Sequence, residues 1–125
     1  LIAQYLSKHP KVAKVYYLGL LEKGTAQWDI FNEQCKGEGA MLSFDIVGGE
    51  KEAFAFLNHL KLIQLAVSLG STESLAEHPA TMTHIDIPEN EKKIMNITSS
   101  LVRLSVGVEH ADDLIADIEK ALEKV

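Results

Sequence analysis

The sequence predicts an α/β fold of the α+β sandwich kind: a mainly antiparallel sheet of about four strands with helices packed on one face. Three observations carry that expectation. Residues 40–47 alternate Met41, Ser43 and Asp45 against Leu42, Phe44 and Ile46, the period of a half-buried strand. Residues 111–125 set Leu114, Ile115, Ile118, Leu122 and Val125 on one stripe, the period of an amphipathic helix. Strand-like and helix-like runs then follow one another as β-β-α-β-α-β-α, a mixture that buries its apolar surfaces by laying helices on a sheet.

Residues 1–8 read as a helix. The chain begins at Leu1, without an initiator methionine and inside that helical pattern, and so reads as a piece of a longer protein. Residues 12–18 (VAKVYYL) are β-branched and aromatic and stop at Gly19, which predicts a strand. Gly24-Thr25 breaks the chain, and residues 27–36 form a short predicted helix ended by Gly37 and Gly39. After the strand at 40–47, Gly48-Gly49 makes a turn. The helix predicted over 50–61 places Ala53, Phe54, Leu57 and Leu60 on one face, with Glu50 and Glu52 in the first turn where the helix dipole favours them.

Residues 62–69 (LIQLAVSL) read as a buried strand ending at Gly70. The polar stretch from Gly70 to Pro88 reads as a long loop, and loops of that length in a small domain often carry function. Pro88 opens a short helix through Met95, residues 101–108 (LVRLSVGV) form another strand, and the helix at 111–125 closes the domain. Asp112 and Asp113 in its first turn and Lys120 and Lys124 in its last suit the macrodipole.

Composition bounds the function classes. With 125 residues, 46% hydrophobic and 24% charged, the chain has enough material for one globular domain with its own core. A net charge of −6, with Lys8, Lys11 and Lys14 interleaved among apolar residues, excludes a basic surface of the kind that grips nucleic acid. No apolar run approaches the roughly 20 residues of a membrane span, and no basic-then-apolar leader is present. Cys35 is the single cysteine, so no internal disulfide forms, and a reducing cytoplasm is the economical reading.

Most chemical motifs are missing. His78 and His84, around Pro79, match metal-ligand spacing only loosely and lack a third ligand, so they read as loop histidines that satisfy backbone groups. There is no G-x-S-x-G elbow and no phosphate-cradling glycine loop. Asn96-Ile97-Thr98 matches a glycosylation sequon, an accidental match in a chain without a secretory signal. Arg103 is the distinctive residue. It lies inside a predicted strand between Val102 and Leu104, where a guanidinium is costly to bury without an anion, and its planar fork suits a bidentate grip on a carboxylate. An edge-strand arginine facing solvent, or one paired with an internal glutamate, is the alternative.

Residues 67–84 (VSLGSTESLAEHPATMTH) and 101–122 (LVRLSVGVEHADDLIADIEKAL) resemble the C-terminal domain of the Cys/Met-metabolism enzymes that depend on pyridoxal 5'-phosphate (PLP), of fold type I. HPKVAKVYYLGL and GAMLSFDI extend the likeness to nearly the whole chain. The resemblance implies that Arg103, in the R-L-S-V-G strand, binds the α-carboxylate of a sulfur-containing amino-acid substrate. It implies that Ser68, in S-L-G, lines the same site, and that Thr83, in the M-T-H loop, lies near substrate. The Schiff-base lysine, the aspartate for the pyridine nitrogen and the phosphate-binding residues belong to the family's large domain and are not matched here. PLP is therefore expected on that domain of the same chain, with no catalytic, cofactor-binding or metal-binding residue in this part. The full-length protein is expected to be a homotetramer, and the face toward the large domain to be apolar.

Family members that act on cystathionine commonly carry glutamate just before S-L-G, whereas those that cleave methionine carry valine. This chain has Val67, whose neutral side chain fits an apolar thioether and favours γ-elimination of methionine. The cystathionine reactions and O-acetylhomoserine sulfhydrylation are the alternative within the family; a stand-alone binding or oligomerisation module is the alternative outside it.

Two positions depart from the family pattern. Tyr17-Leu18-Gly19-Leu20 stands where relatives read Y-Y-P-G-L, losing a fixed φ. His110 stands where an acidic cap is usual, which predicts a helix start weaker by up to about 1 kcal/mol. At the site itself, Arg103 and Ser68 are expected close together at one end of the sheet, with Arg103 facing an open cleft and not an internal carboxylate.

Overall fold

The alternation over 41–46 organises the fold. In the computed structural model, which describes residues 1–125, Met41–Ile46 forms strand β2, with Leu42, Phe44 and Ile46 buried. It pairs antiparallel on one side with β1 (Val12–Tyr16) and on the other with β5 (Leu101–Ser105). β4 (Leu75–Glu77) pairs antiparallel with β5, and β3 (Gln64–Leu65) adds to β4 in parallel, giving the order β1-β2-β5-β4-β3.

Side chains of a strand alternate between faces, so the register sorts them. Leu42, Phe44 and Ile46 of β2, Val102 and Leu104 of β5 and Ala76 of β4 form one core cluster with three helices. These are α1 (Ile2–Leu6), α3 (Glu50–His59) and α5 (Ala111–Leu122), of which α5 touches both of the others. Leu6, Phe44, Leu114, Ile118 and Leu122 are wholly buried, and Phe44 meets Phe56 edge-on with ring centres 5.6 Å apart. The helix stripe read from the sequence is the stripe that packs. Helices α2 (Ala26–Gln34), capped by the Thr25 hydroxyl, and α4 (Glu89–Ile94) stand apart from this core.

The expected sandwich with a mainly antiparallel sheet is present, with five strands for the four or so expected and β3 alone running parallel to its neighbour. Other expectations are corrected. The predicted buried strand over 62–69 shrinks to two exposed residues at the sheet edge, with Leu65, Val67 and Leu69 all more than half exposed. An apolar run fits a core strand and an interface edge equally, so its composition could not decide between them. The predicted loop over 70–88 contains β4, all three of whose residues are buried. In α3 it is Phe56, not Phe54, that joins Ala53 and Leu57 inside; Phe54 is partly exposed and lies edge-on to His78 at 5.0 Å. At the start of α5, His110 Nδ1 accepts the Asp112 N–H at 3.3 Å, so the position keeps a side-chain cap without an acid. Leu18–Leu20 coils into a 3-10 turn, and a Cβ on Gly19 would lie 2.6 Å from the Tyr17 ring.

The approach to β4 and the exit from β5 are tied by Ser74 and Glu109. The Glu109 carboxylate accepts the Ser74 N–H at 2.7 Å and the Ser74 hydroxyl at 2.9 Å, and Ser74 Oγ accepts the Gly107 N–H at 2.8 Å. Burial pushes the Glu109 carboxyl up, but the Ser74 and Glu109 N–H groups and the Ser74 hydroxyl outweigh it and hold the group below its ordinary value of 4.5. A lowered folded-state pKa contributes stability that is present above the unfolded value and is lost as pH falls through the folded one. Glu109→Gln is therefore expected to flatten the acid limb of a plot of thermal midpoint against pH, below about pH 5. An acid limb as steep as that of the parent would count against the tie.

Candidate functional site

The face of the sheet away from the helices carries a row of polar residues set by the register. Arg103 lies opposite Ser43 on one side and Glu77 on the other, and Ser43 lies opposite Tyr16. Arg103 sits in an apolar strand because its side chain emerges on the face that Val102 and Leu104 do not use. Its side chain is 17% exposed, whereas that of Glu77 is wholly buried.

The guanidinium is held by its own chain. Nη1 lies 2.7 Å from Glu77 Oε1, and Nη2 donates to the carbonyls of Val67 at 2.8 Å and Ser68 at 3.2 Å. Arg103 was expected to face an open cleft without an internal carboxylate, and the pair with Glu77 corrects that. A largely desolvated guanidinium needs an anion, and the cross-strand register supplies one from β4. The expected closeness of Arg103 and Ser68 is present, through the Ser68 carbonyl.

Backbone contacts fix the segment that meets Arg103. Before it, the Ala66 N–H donates to Ala76 O at 2.9 Å; after it, the Gly70 N–H donates to Ser105 Oγ, also at 2.9 Å. Gly70 has φ +72°, a left-handed conformation that glycine adopts without strain. Val67 and Ser68 are themselves exposed, and it is their backbone carbonyls that meet the guanidinium.

Thr83 joins through Glu77. Its hydroxyl donates to Glu77 Oε1 at 2.9 Å and also meets His84 Nδ1 at 2.8 Å. The turn that presents it is anchored by His78, wholly buried, whose Nδ1 meets Thr81 Oγ1 at 2.8 Å and whose Nε2 meets the Ser99 carbonyl at 2.9 Å. Both histidines thus serve hydrogen bonds within the fold. No group of three or more His, Cys, Asp or Glu side chains is gathered to hold a metal ion.

Glu77 is the residue that the sequence did not single out. It stands in the quoted stretch as the second of two acids, directly after Leu75-Ala76 and 26 positions from its partner. A charge ending a short apolar run was the available signal. Its second oxygen, Oε2, is buried and has no hydrogen-bond partner.

Chemically, the arrangement suits one end of a small anion. The N–H groups of Arg103 not taken by Glu77, Val67 or Ser68 remain for a ligand at the exposed side.

Comparison with known proteins gives a consistent result. The family model described as Cys/Met metabolism PLP-dependent enzyme matches residues 1–123. The L-methionine γ-lyase of Fusobacterium nucleatum subsp. nucleatum is 50% identical over 124 residues, 99% of this chain and 31% of that protein. The cystathionine γ-lyase of Dictyostelium discoideum is 45% identical over 123 residues, 98% of this chain and 31% of that protein. Among solved structures, cystathionine γ-lyase from Lactobacillus plantarum complexed with L-serine superposes with a TM-score of 0.87 at 43% identity, covering 98% of this chain and 31% of that one. The chain thus spans about 31% of the length of these relatives.

Proposed function

Because the chain belongs to the Cys/Met-metabolism PLP-dependent enzymes, we propose that it is the C-terminal domain of a carbon–sulfur lyase and that it holds the α-carboxylate of a sulfur-containing amino acid. Arg103 is the binding group in this reading, with Val67 and Ser68 beside it and Thr83 behind it. The observation that carries the proposal is a partly exposed guanidinium fixed on the open face of the sheet next to Val67 and Ser68. The large domain of the same chain holds PLP, which supplies an electron sink for charge developing at Cα. The task of this domain is orientation: gripping the carboxylate fixes how the substrate is turned in the site. The exposed apolar edge at Leu65, Val67 and Leu69 fits a surface covered by the rest of the enzyme, itself a homotetramer in this reading.

We further propose methionine as the substrate, on the ground that Val67, whose carbonyl holds Arg103, is an uncharged residue. A second reading, cleavage of cystathionine, is favoured by the relatives of that name. Steady-state kinetics of the full-length enzyme with both amino acids tests the choice. A higher kcat/KM for methionine is expected, and a clear preference for cystathionine would overturn it. Val67→Glu is expected to lower the ratio of methionine to cystathionine efficiency by about 10-fold or more, since a carboxylate meets the apolar thioether poorly and a distant ammonium well. The 125-residue chain alone is expected to show no turnover of methionine when mixed with PLP.

A further inference from the structure

We propose that Glu77 is a positioning residue for this site: it acts through Arg103, fixing the plane of the guanidinium on which the substrate carboxylate rests. The inference rests on Arg103 being the carboxylate-binding group and deepens that reading.

Three contacts orient the guanidinium. Glu77 Oε1 holds Nη1 at 2.7 Å, and two carbonyls hold Nη2. Contacts on both terminal nitrogens define the plane of the fork, which one alone does not. The carbonyls belong to the exposed 67–68 segment, whereas Glu77 belongs to a wholly buried strand. Glu77 is therefore the rigid member of the set.

Two further observations separate Glu77 from an ordinary structural partner. The donors it receives are concentrated on one oxygen: Oε1 takes both Arg103 Nη1 and the Thr83 hydroxyl, while Oε2, equally buried, takes none. A buried ion pair is weak evidence of stabilisation, and an orphaned buried oxygen makes this one costlier still. What the arrangement secures is direction, because the shared oxygen lies between Thr83 and Arg103. Thr83 then acts at one remove, holding Glu77 as Glu77 holds Arg103.

The test uses the full-length, PLP-loaded enzyme with Glu77→Asp, Glu77→Gln, Thr83→Val and Arg103→Lys. Substrate kinetics are joined by calorimetric binding of propionate, which has the carboxylate alone, and propylamine, which lacks it. Glu77→Asp keeps the charge but withdraws it by one methylene. It is expected to raise KM and the propionate Kd about 10-fold, with propylamine changed less than about 2-fold. Glu77→Gln keeps an acceptor at the original reach and is expected to stay within about 3-fold of the parent. Thr83→Val leaves the buried pair in place, so it reads the same chain of contacts without a folding defect, and is expected to raise the propionate Kd about 3-fold. Equal weakening of propionate and propylamine would reduce Glu77 to a structural role and overturn the proposal. Parent-like propionate binding in Glu77→Asp and Thr83→Val would also overturn it, while leaving the carboxylate reading intact if Arg103→Lys is impaired. If Arg103→Lys binds propionate as the parent does, the carboxylate reading itself falls.

Discussion

Arg103→Lys in the full-length enzyme is expected to lower kcat/KM for amino-acid substrates about 100-fold while leaving the fold in place. Lysine can keep a cation beside Glu77, so the buried acid is not left unpaired. It cannot supply the planar fork that reaches Glu77 Oε1 with one nitrogen and the Val67 and Ser68 carbonyls with another. Losing one or two charge-assisted hydrogen bonds of about 1.5–3 kcal/mol each accounts for a change of that size. Arg103→Met separates the two roles, because it leaves Glu77 buried without its cation and is expected to cost about 3–5 kcal/mol of stability as well. The measurements are steady-state kinetics beside thermal midpoints. An Arg103→Lys enzyme with parent-like efficiency would remove Arg103 from the substrate site.

The candidate site was legible in the sequence at Arg103 and hidden behind it. Arg103 stood out as a charge within LVRLSV, and Val67, Ser68 and Thr83 followed from motifs; the structure brings all four to one neighbourhood. Glu77 did not stand out, since its meaning depends on a register between strands 26 positions apart, and no local pattern encodes such a pairing. The same limit hid β4: three buried residues are too few to show a period. The run at 62–69 erred in the opposite way, because its apolar content was read as core where the fold leaves an edge. His110 keeps a side-chain acceptor at the start of α5, since an imidazole nitrogen can take the N–H of the first turn. Long periodic elements, β2 and α5, were read correctly in type and buried face, since many residues vote on one period.

Asp117→Ala is expected to destabilise this chain by about 3–5 kcal/mol, although Asp117 lies on a helix far along the sequence from what it holds. It is a buried acid on the core side of α5, between Leu114 and Ile118 on one hand and Ala121 on the other. Its two oxygens accept the backbone N–H groups of Lys61, Leu62 and Ile63 at 2.8, 2.9 and 3.0 Å. Those donors have no strand or helix partner where α3 ends and the chain turns toward β3, so one side chain serves in place of a regular element. Alanine would leave the three N–H groups unsatisfied at a position closed by Ile63, each at about 1–3 kcal/mol before relaxation. Asn retains one oxygen and is expected to cost roughly half as much. The effect should also reach function, since residues 61–63 lead directly into the 66–70 segment whose carbonyls hold Arg103. Urea unfolding of the Ala and Asn variants gives the stability change, and the propionate Kd of the full-length Asn variant gives the coupling. A loss below about 1 kcal/mol for alanine would show that water serves these donors equally well, and that the 61–63 turn is held by packing of Ile63 alone.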